Sequence, residues 1–302
     1  MIVVLSGGTG TPKLLQGLKE VVEQKKLSVI VNTAEDCWLP HGYFSPDVDT
    51  VLYTLSDEIN EETWYGIRGD TFATHEALIA LGCKEVLRIG DRDRATQIQK
   101  GELLRKGKKL SEAIEIQRKA FGIKAGVFPM SDDRIETRIV TEKKEMSFHE
   151  FWVENKGKPK VVDVFFKGIE KARGCRKAVK AIKKAEGIII GPSNPVSSIL
   201  PIISLGDIRE AMQKKKEKCT AISPIISGKT ISGPAEKFMR AKGLRISSQS
   251  VAKLYSKLVS SLITDSAEEN IKEIKCFKTN ILMRNLEDKR NLAKVALAAV
   301  GR

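Results

Sequence analysis

The sequence predicts an α/β protein: a Rossmann-like, mainly parallel sheet flanked by helices, with a helical insertion and a β-hairpin. Three observations carry this. Short apolar runs rich in β-branched residues recur along the chain, and each ends in small or polar residues. Stretches with helical spacing separate them. The opening unit, MIVVLSGGTGTPKLLQGL, reads as a strand, a glycine-rich loop and a helix start in direct succession.

The strand-like runs are residues 2–5 leading into SGGTG, 29–31 into NTAED, 86–89 into GDRD, 187–190 into GPSNP, and 220–223 into PIISG. Helical patterns cover 13–24, 73–81, 94–105, 110–120, 171–185 and 205–217. Loops that follow the strands of a parallel sheet leave on one edge and bind ligands there, so the five polar loops are expected to converge. Residues 134–141 and 145–153 alternate apolar with polar about 142–144, which reads as an antiparallel hairpin. The tail from 268 to 302 reads as helices with one further segment, its last apolar face carried by Leu292, Val295 and Ala299. With no repeat or Pro/Ser-rich linker, the reading is one domain over 1–302, a helical insertion near 55–125 and the hairpin near 134–153.

Composition narrows the class. At 302 residues and 41% hydrophobic, the chain can bury a large core. It holds no run of eighteen apolar residues and no basic leader, so a cytoplasmic protein without a membrane partner is expected. Five scattered cysteines without a CxxC pair fit reduced thiols. Three scattered histidines turn any metal expectation towards a hard ion held by carboxylates and phosphate. The formal charge of +14 attracts anions. Its lysines and arginines are dispersed, and no basic stripe interleaved with aromatics accompanies them. They read as solvated helix faces, with no nucleic-acid partner.

The chemistry-bearing segments come next. Gly7, Gly8 and Gly10 permit close backbone approach to an anion, Ser6, Thr9 and Thr11 add hydroxyls, and Pro12 suits a first helical turn. Lys13 adds a charge. The spacing is neither GxGxxG nor GxxxxGK[ST], and a plain tight turn is the competing reading. Residues 32–54 hold Asp36, Asp47 and Asp49 with His41 among them. Such carboxylates serve a magnesium–diphosphate complex or act as base to a hydroxyl, and they also commonly cap turns and helices. GDRDRA at 90–95 is either a surface ladder of charges or an arginine fork facing phosphate. Residues 129–133, PMSDD, read as a structural turn. In GPSNP, Pro192 and Pro195 bracket Ser193 and Asn194 after Gly191, giving a rigid loop that presents a hydroxyl and an amide. SGPAEKFM at 232–239 repeats the theme. No serine stands in a GxSxG elbow.

Taken in order, SGGTGTPKLLQGL, NTAED, SPDVDTVLYTLSD, GDRDRATQI, PMSDD, GPSNPVSSILPIISL and ISPIISGKTISGPAEKFM closely resemble the 2-phospho-L-lactate transferase family, from residue 1 to about 265. The resemblance implies a magnesium-dependent homodimer that moves a phospholactyl group from lactyl diphosphoguanosine to the ribityl hydroxyl of the deazaflavin Fo. GMP is released, in the synthesis of coenzyme F-420. It implies that Gly7, Gly8, Thr9, Gly10, Thr11 and Lys13, with Gly191, Pro192, Ser193, Asn194 and Pro195, hold the guanosine diphosphate. Asp49 would contact Fo and act as base, Arg88 would lie near Fo where relatives often carry lysine, and Asp36 and Asp47 would take the metal. Three other readings compete. A related sugar-nucleotide-binding regulatory family carries a DDGG-type loop in place of NTAEDCW and SPDVDT. An NAD-dependent oxidoreductase calls for a different glycine spacing. A nucleic-acid-binding protein rests on charge alone.

Overall fold

The computed structural model describes residues 1–230, 233–265, 271 and 274–301. Seven strands form one parallel sheet: β1 (Ile2–Ser6), β2 (Leu27–Val31), β3 (Gly126–Pro129), β4 (Gly187–Ile190), β5 (Cys219–Ile222), β6 (Ser261–Asp265) and β7 (Lys275–Thr279). Their spatial order is β7-β6-β5-β4-β1-β2-β3, every neighbouring pair parallel. The chain builds outward from β1 to β3 and then returns to lay β4 against the other side of β1. The order reverses between β1 and β4, and a crevice opens there at the carboxyl ends of the strands.

Continuous apolar runs form these strands because both faces of the sheet are covered. Side chains alternate sides along each strand. Val3, Leu5, Ile30, Ile188 and Ile190 enter one core, while Val4, Val29, Val31 and Ile189 enter the other. The first core is completed by Ala178 and Ile182 of helix Arg176–Lys184 and by Ile208 and Met212 of helix Gly206–Gln213. The second is completed by α1 (Gly10–Val21), α2 (Pro46–Leu55) and the helix Leu286–Val300. The last of these lies so close to α1 that a Cβ on Gly17 would stand 2.1 Å from the Lys289 carbonyl oxygen.

The expected α/β, Rossmann-like architecture is what the structure shows, with local departures. Residues 86–89 are not a strand. Of the four only Ile89 is buried, and the run lines cavities as irregular chain instead of pairing in the sheet. β3, β6 and β7 were not anticipated. The hairpin pairs Glu136–Thr141 with only Glu145–Ser147; a π-type turn follows at Glu150–Glu154, and Val161–Lys167 adds a third antiparallel strand. Residues 46–55 form a helix because Pro46 opens it and Val48, Val51 and Leu52 supply its buried face. In the tail, Leu292 and Ala299 are buried and Val295 is partly so; residues 268–270, 272–273 and 302 lie outside the described residues, as do Ile231 and Ser232 of the second proline loop.

Replacing Gly17 by alanine overpacks the crossing of the two helices, with an expected loss of about 1–3 kcal/mol, read from the urea midpoint.

Candidate active site

The glycine loop runs from Ser6 to the first turn of α1. Gly8 is in the left-handed region at φ +58°, as a turn from strand to helix there requires. Two other glycines face protein. A Cβ on Gly10 would meet the Pro192 carbonyl oxygen at 2.1 Å, and one on Gly191 would meet Thr11 Oγ1 at 2.1 Å. The loops after β1 and β4 therefore interlock backbone to backbone. Ser193 Oγ bonds the Gly7 carbonyl oxygen and lies 2.7 Å from Thr11 Oγ1, so the serine braces the two loops. Asn194 Oδ1 accepts from Val196 N at 3.0 Å and Ser197 N at 3.3 Å, capping the turn that Pro195 opens. Its Nδ2 is buried without a partner.

Carboxylates gather beside this junction. Asp47 and Asp49 both sit in the first turn of α2, where the helix dipole favours acids. Two residues apart on a helix they diverge. Asp47 accepts from Gly8 N at 2.7 Å and Asn32 Nδ2 at 2.9 Å, bracing the glycine loop. Asp49 forms an ion pair with Lys100, which is fully buried on the helix Asp91–Arg105, and its Oδ2 has no partner. Asp36 accepts from Ser45 Oγ at 2.7 Å and keeps Oδ1 unpartnered. Glu35 likewise keeps Oε1 without a partner. Asp93 accepts from Tyr53 OH at 2.8 Å and Gln97 Nε2 at 3.2 Å.

Burial disfavours so many charges together. It pushes Glu35 and Asp36 well above the usual carboxylate range, with neighbouring carboxylates adding to the effect and Lys100 opposing it at Asp36. Asp47 rises to about 6 through burial, opposed by the hydrogen bonds from Asn32 and Gly8. Asp93 rises to about 6 through burial and the charge of Asp49. Burial raises Asp49 as well, while Lys100 pulls it back.

Glu35, Asp47, Asp49 and Asp93 face one cavity of about 530 Å³, whose lining does not include Asp36 or Lys100. Gly8–Gly10 backbone, Glu35, Asp47, Asp49, Ser193 and Asn194 make its polar end; Phe44, Trp64, Tyr65, Phe148, His149 and Trp152 wall the rest. Of the five loops expected to meet, those after β1, β2 and β4 do, and Val86, Leu87 and Asp93 bring in the fourth. Arg88 turns away, its guanidinium 3.9 Å above the Phe72 ring and 3.9 Å from Glu76. Thr11 is buried in the loop junction, and the Lys13 ammonium lies 4.8 Å from the Trp64 ring centre.

Among the described residues no three His, Cys, Asp or Glu side chains are arranged to hold a metal by themselves. The unpartnered oxygens of Glu35, Asp36 and Asp49 are of the donor type that suits magnesium, an ion that takes one or two carboxylates and completes its shell with phosphate and water. Of the two expected metal residues, Asp36 has an oxygen to offer, whereas both oxygens of Asp47 already accept hydrogen bonds. Glu35 and Lys100 were not among the expected site residues, and Asp93 was noted only as one of the alternating charges of GDRDRA. Glu35 stands in the NTAED motif already singled out. Lys100 was signalled by the polar spacing Asp93, Thr96, Gln97, Lys100, a stripe whose helix lacks an apolar face of its own.

Comparison with known proteins agrees with this architecture. The family model described as 2-phospho-L-lactate transferase CofD matches residues 2–297. A protein named 2-phospho-L-lactate transferase from Methanocaldococcus jannaschii is 52% identical over 301 residues, covering 97% of this chain and 96% of its own. One of the same name from Methanothermobacter thermautotrophicus is 48% identical over 308 residues, covering 99% and 98%. In fold, the chain is similar to a crystal structure of a UPF0052 family member from Bacillus halodurans, with TM-score 0.65, 17% identity and 98% of both chains covered.

Asp93 gives a pH test. Its carboxyl binds a proton more tightly folded than unfolded, so the stability linked to it is full below the unfolded value near 4 and is lost as pH rises through about 6. The stability difference between wild type and Asp93→Asn should therefore shift by about 2–3 kcal/mol between pH 4 and 7, against wild type at the higher pH, as read from denaturant melts.

The glycine loop at the switch point, the carboxylates beside it and a match running almost end to end lead to one statement of kinship: the chain belongs to the 2-phospho-L-lactate transferase CofD family.

Proposed function

We propose that this protein transfers a 2-phospholactyl group from lactyl-2-diphospho-5'-guanosine to the ribityl hydroxyl of Fo, releasing GMP, in coenzyme F-420 biosynthesis. The observation that carries the reading is the single cavity in which an anion-suited glycine loop, unpartnered carboxylate oxygens and an aromatic wall meet. The relatives' name supplies the phospholactyl chemistry.

In this reading the donor's diphosphate lies along Gly8–Gly10 and the start of α1, with Lys13 as a nearby cation and the unpartnered Asn194 Nδ2 as a donor. The acceptor lies along the aromatic wall, its hydroxyl toward Asp49. The hydroxyl oxygen attacks the phosphorus that bears lactate, the bond from that phosphorus to the bridging oxygen breaks, and GMP leaves with the electron pair. The hydroxyl proton passes to Asp49 Oδ2, the oxygen that Lys100 leaves free. Lys100 holds the other oxygen and opposes the effect of burial on this carboxylate. Asp36 with Glu35 would hold magnesium, which when bound neutralises charge on the phosphates. Arg88 reaches the acceptor only if it leaves Phe72. By family resemblance the protein acts as a homodimer.

Purified protein mixed with Fo, the lactyl donor and magnesium should yield a phosphodiester-linked deazaflavin and GMP; sugar-nucleotide binding without turnover would sink the reading. Asp49→Asn should lower kcat by about 10²–10⁴-fold, and a near-normal rate in the folded variant would remove Asp49 from the role of base.

A further inference from the structure

A buried cation from the far end of the sequence stands behind the cavity wall. Lys289, on helix Leu286–Val300, is only 5% exposed. Its Nζ donates to Gln16 Oε1 at 2.5 Å and to Glu61 Oε2 at 3.1 Å, and Gln16 Nε2 donates to the other Glu61 oxygen at 3.0 Å. The three groups close a ring that ties this helix to α1 and to the loop after α2. The same ammonium lies 5.0 Å from the centre of the Trp64 indole, and Lys13 Nζ lies 4.8 Å from it. Both are within cation–π range, so one ring carries two lysines.

Trp64 is held firmly for a loop residue. Its φ of +58° is left-handed, a region bulky side chains avoid unless the surroundings dictate it. The residues around it, Thr63, Tyr65 and Gly66, line the cavity. Lys13 has no carboxylate within ion-pair distance among the described residues, whereas Lys289 is neutralised by Glu61. Burial, and then the charge of Lys289, lower the Lys13 pKa, as expected for a cation short of counter-charge. An anion arriving at the start of α1 would supply that charge.

We propose that Lys289 is a positioning residue for the donor: acting through Trp64, it seats the 63–66 rim of the cavity and holds Lys13 uncommitted for the donor's diphosphate. This rests on the donor reading given above. It assigns the last helix a part in the site although none of its residues lines the cavity.

GDP serves as the probe of the diphosphate site. Its affinity is measured by calorimetry for wild type, Lys289→Met, Lys289→Arg and Trp64→Leu. Its effect on Trp64 emission is followed in a Trp38→Phe/Trp152→Phe background, where Trp64 is the one tryptophan left. Lys289→Met should weaken GDP roughly tenfold and raise the donor KM alike, with kcat and the Fo KM within about threefold, because the lost interaction is with a bound cation–ring array and not with the reacting atoms. Lys289→Arg should recover most of that affinity, and GDP should change Trp64 emission in the lysine protein but far less in the methionine one. A folded Lys289→Met protein with wild-type GDP affinity and an unchanged emission response overturns the proposal. So does a loss that arginine fails to rescue or that falls on kcat alone. If Lys289→Met does not fold, Trp64→Leu decides: weakened GDP supports the array, and unaltered affinity overturns it. Failure of wild type to bind GDP overturns the donor reading, and this role with it.

Discussion

The interlock of the loops after β1 and β4 decides where every other group in the cavity stands. Gly10 against the Pro192 carbonyl and Gly191 against Thr11 leave no room for a single added carbon, and Ser193 pins the pair through Gly7 and Thr11. Asp47 then holds Gly8 from a third part of the chain. The backbone amides at the start of α1 are thus fixed by protein contacts alone, so a ligand meets them already arranged. The glycines serve two ends at once: most let polypeptide approach polypeptide, and Gly8 leaves its side open to the cavity.

Around that fixed edge the protein concentrates acid. Glu35, Asp36, Asp47, Asp49 and Asp93 share a buried neighbourhood, in which Lys100 is the cation acting on Asp36, Asp49 and Asp93. Desolvation raises the pKa of each of them. A diphosphate brought alongside would add negative charge that Lys13 or a divalent cation must offset. Within this cluster Asp36 and Asp49 each keep one oxygen without a hydrogen-bond partner.

Much of this was legible in the order of residues. The β-branched runs marked β1, β2, β4 and β5, since strands covered on both faces must be apolar throughout. The glycine and proline punctuation marked the loops of the switch point. The run at 86–89 misled because an apolar stretch of four carries no information about whether a neighbouring strand exists to pair with it. β3 was hidden by its brevity and by the proline that ends it. At the site, Asp49 and the glycine loop were visible as motifs, yet their partners were not. Lys100 and Asp49 are fifty-one positions apart, and Lys289 and Gln16 lie farther still. Pairings of that range follow from the fold and leave no mark on local spacing.

The crossing of the last helix over α1 has a bearing on how the molecule comes into being. The apolar face of α1 carries Leu14, Leu15 and Leu18, and it is covered in part by Leu292, Ala293 and Ala296, residues made long after it. Closing so long a loop is slow compared with pairing neighbouring strands, although its entropic cost grows only logarithmically. During translation the first helix therefore waits with an uncovered apolar stripe while β2 to β7 are assembled beside it. The glycine-loop start of that helix reaches its final setting only when the helix Leu286–Val300 has been made and has docked.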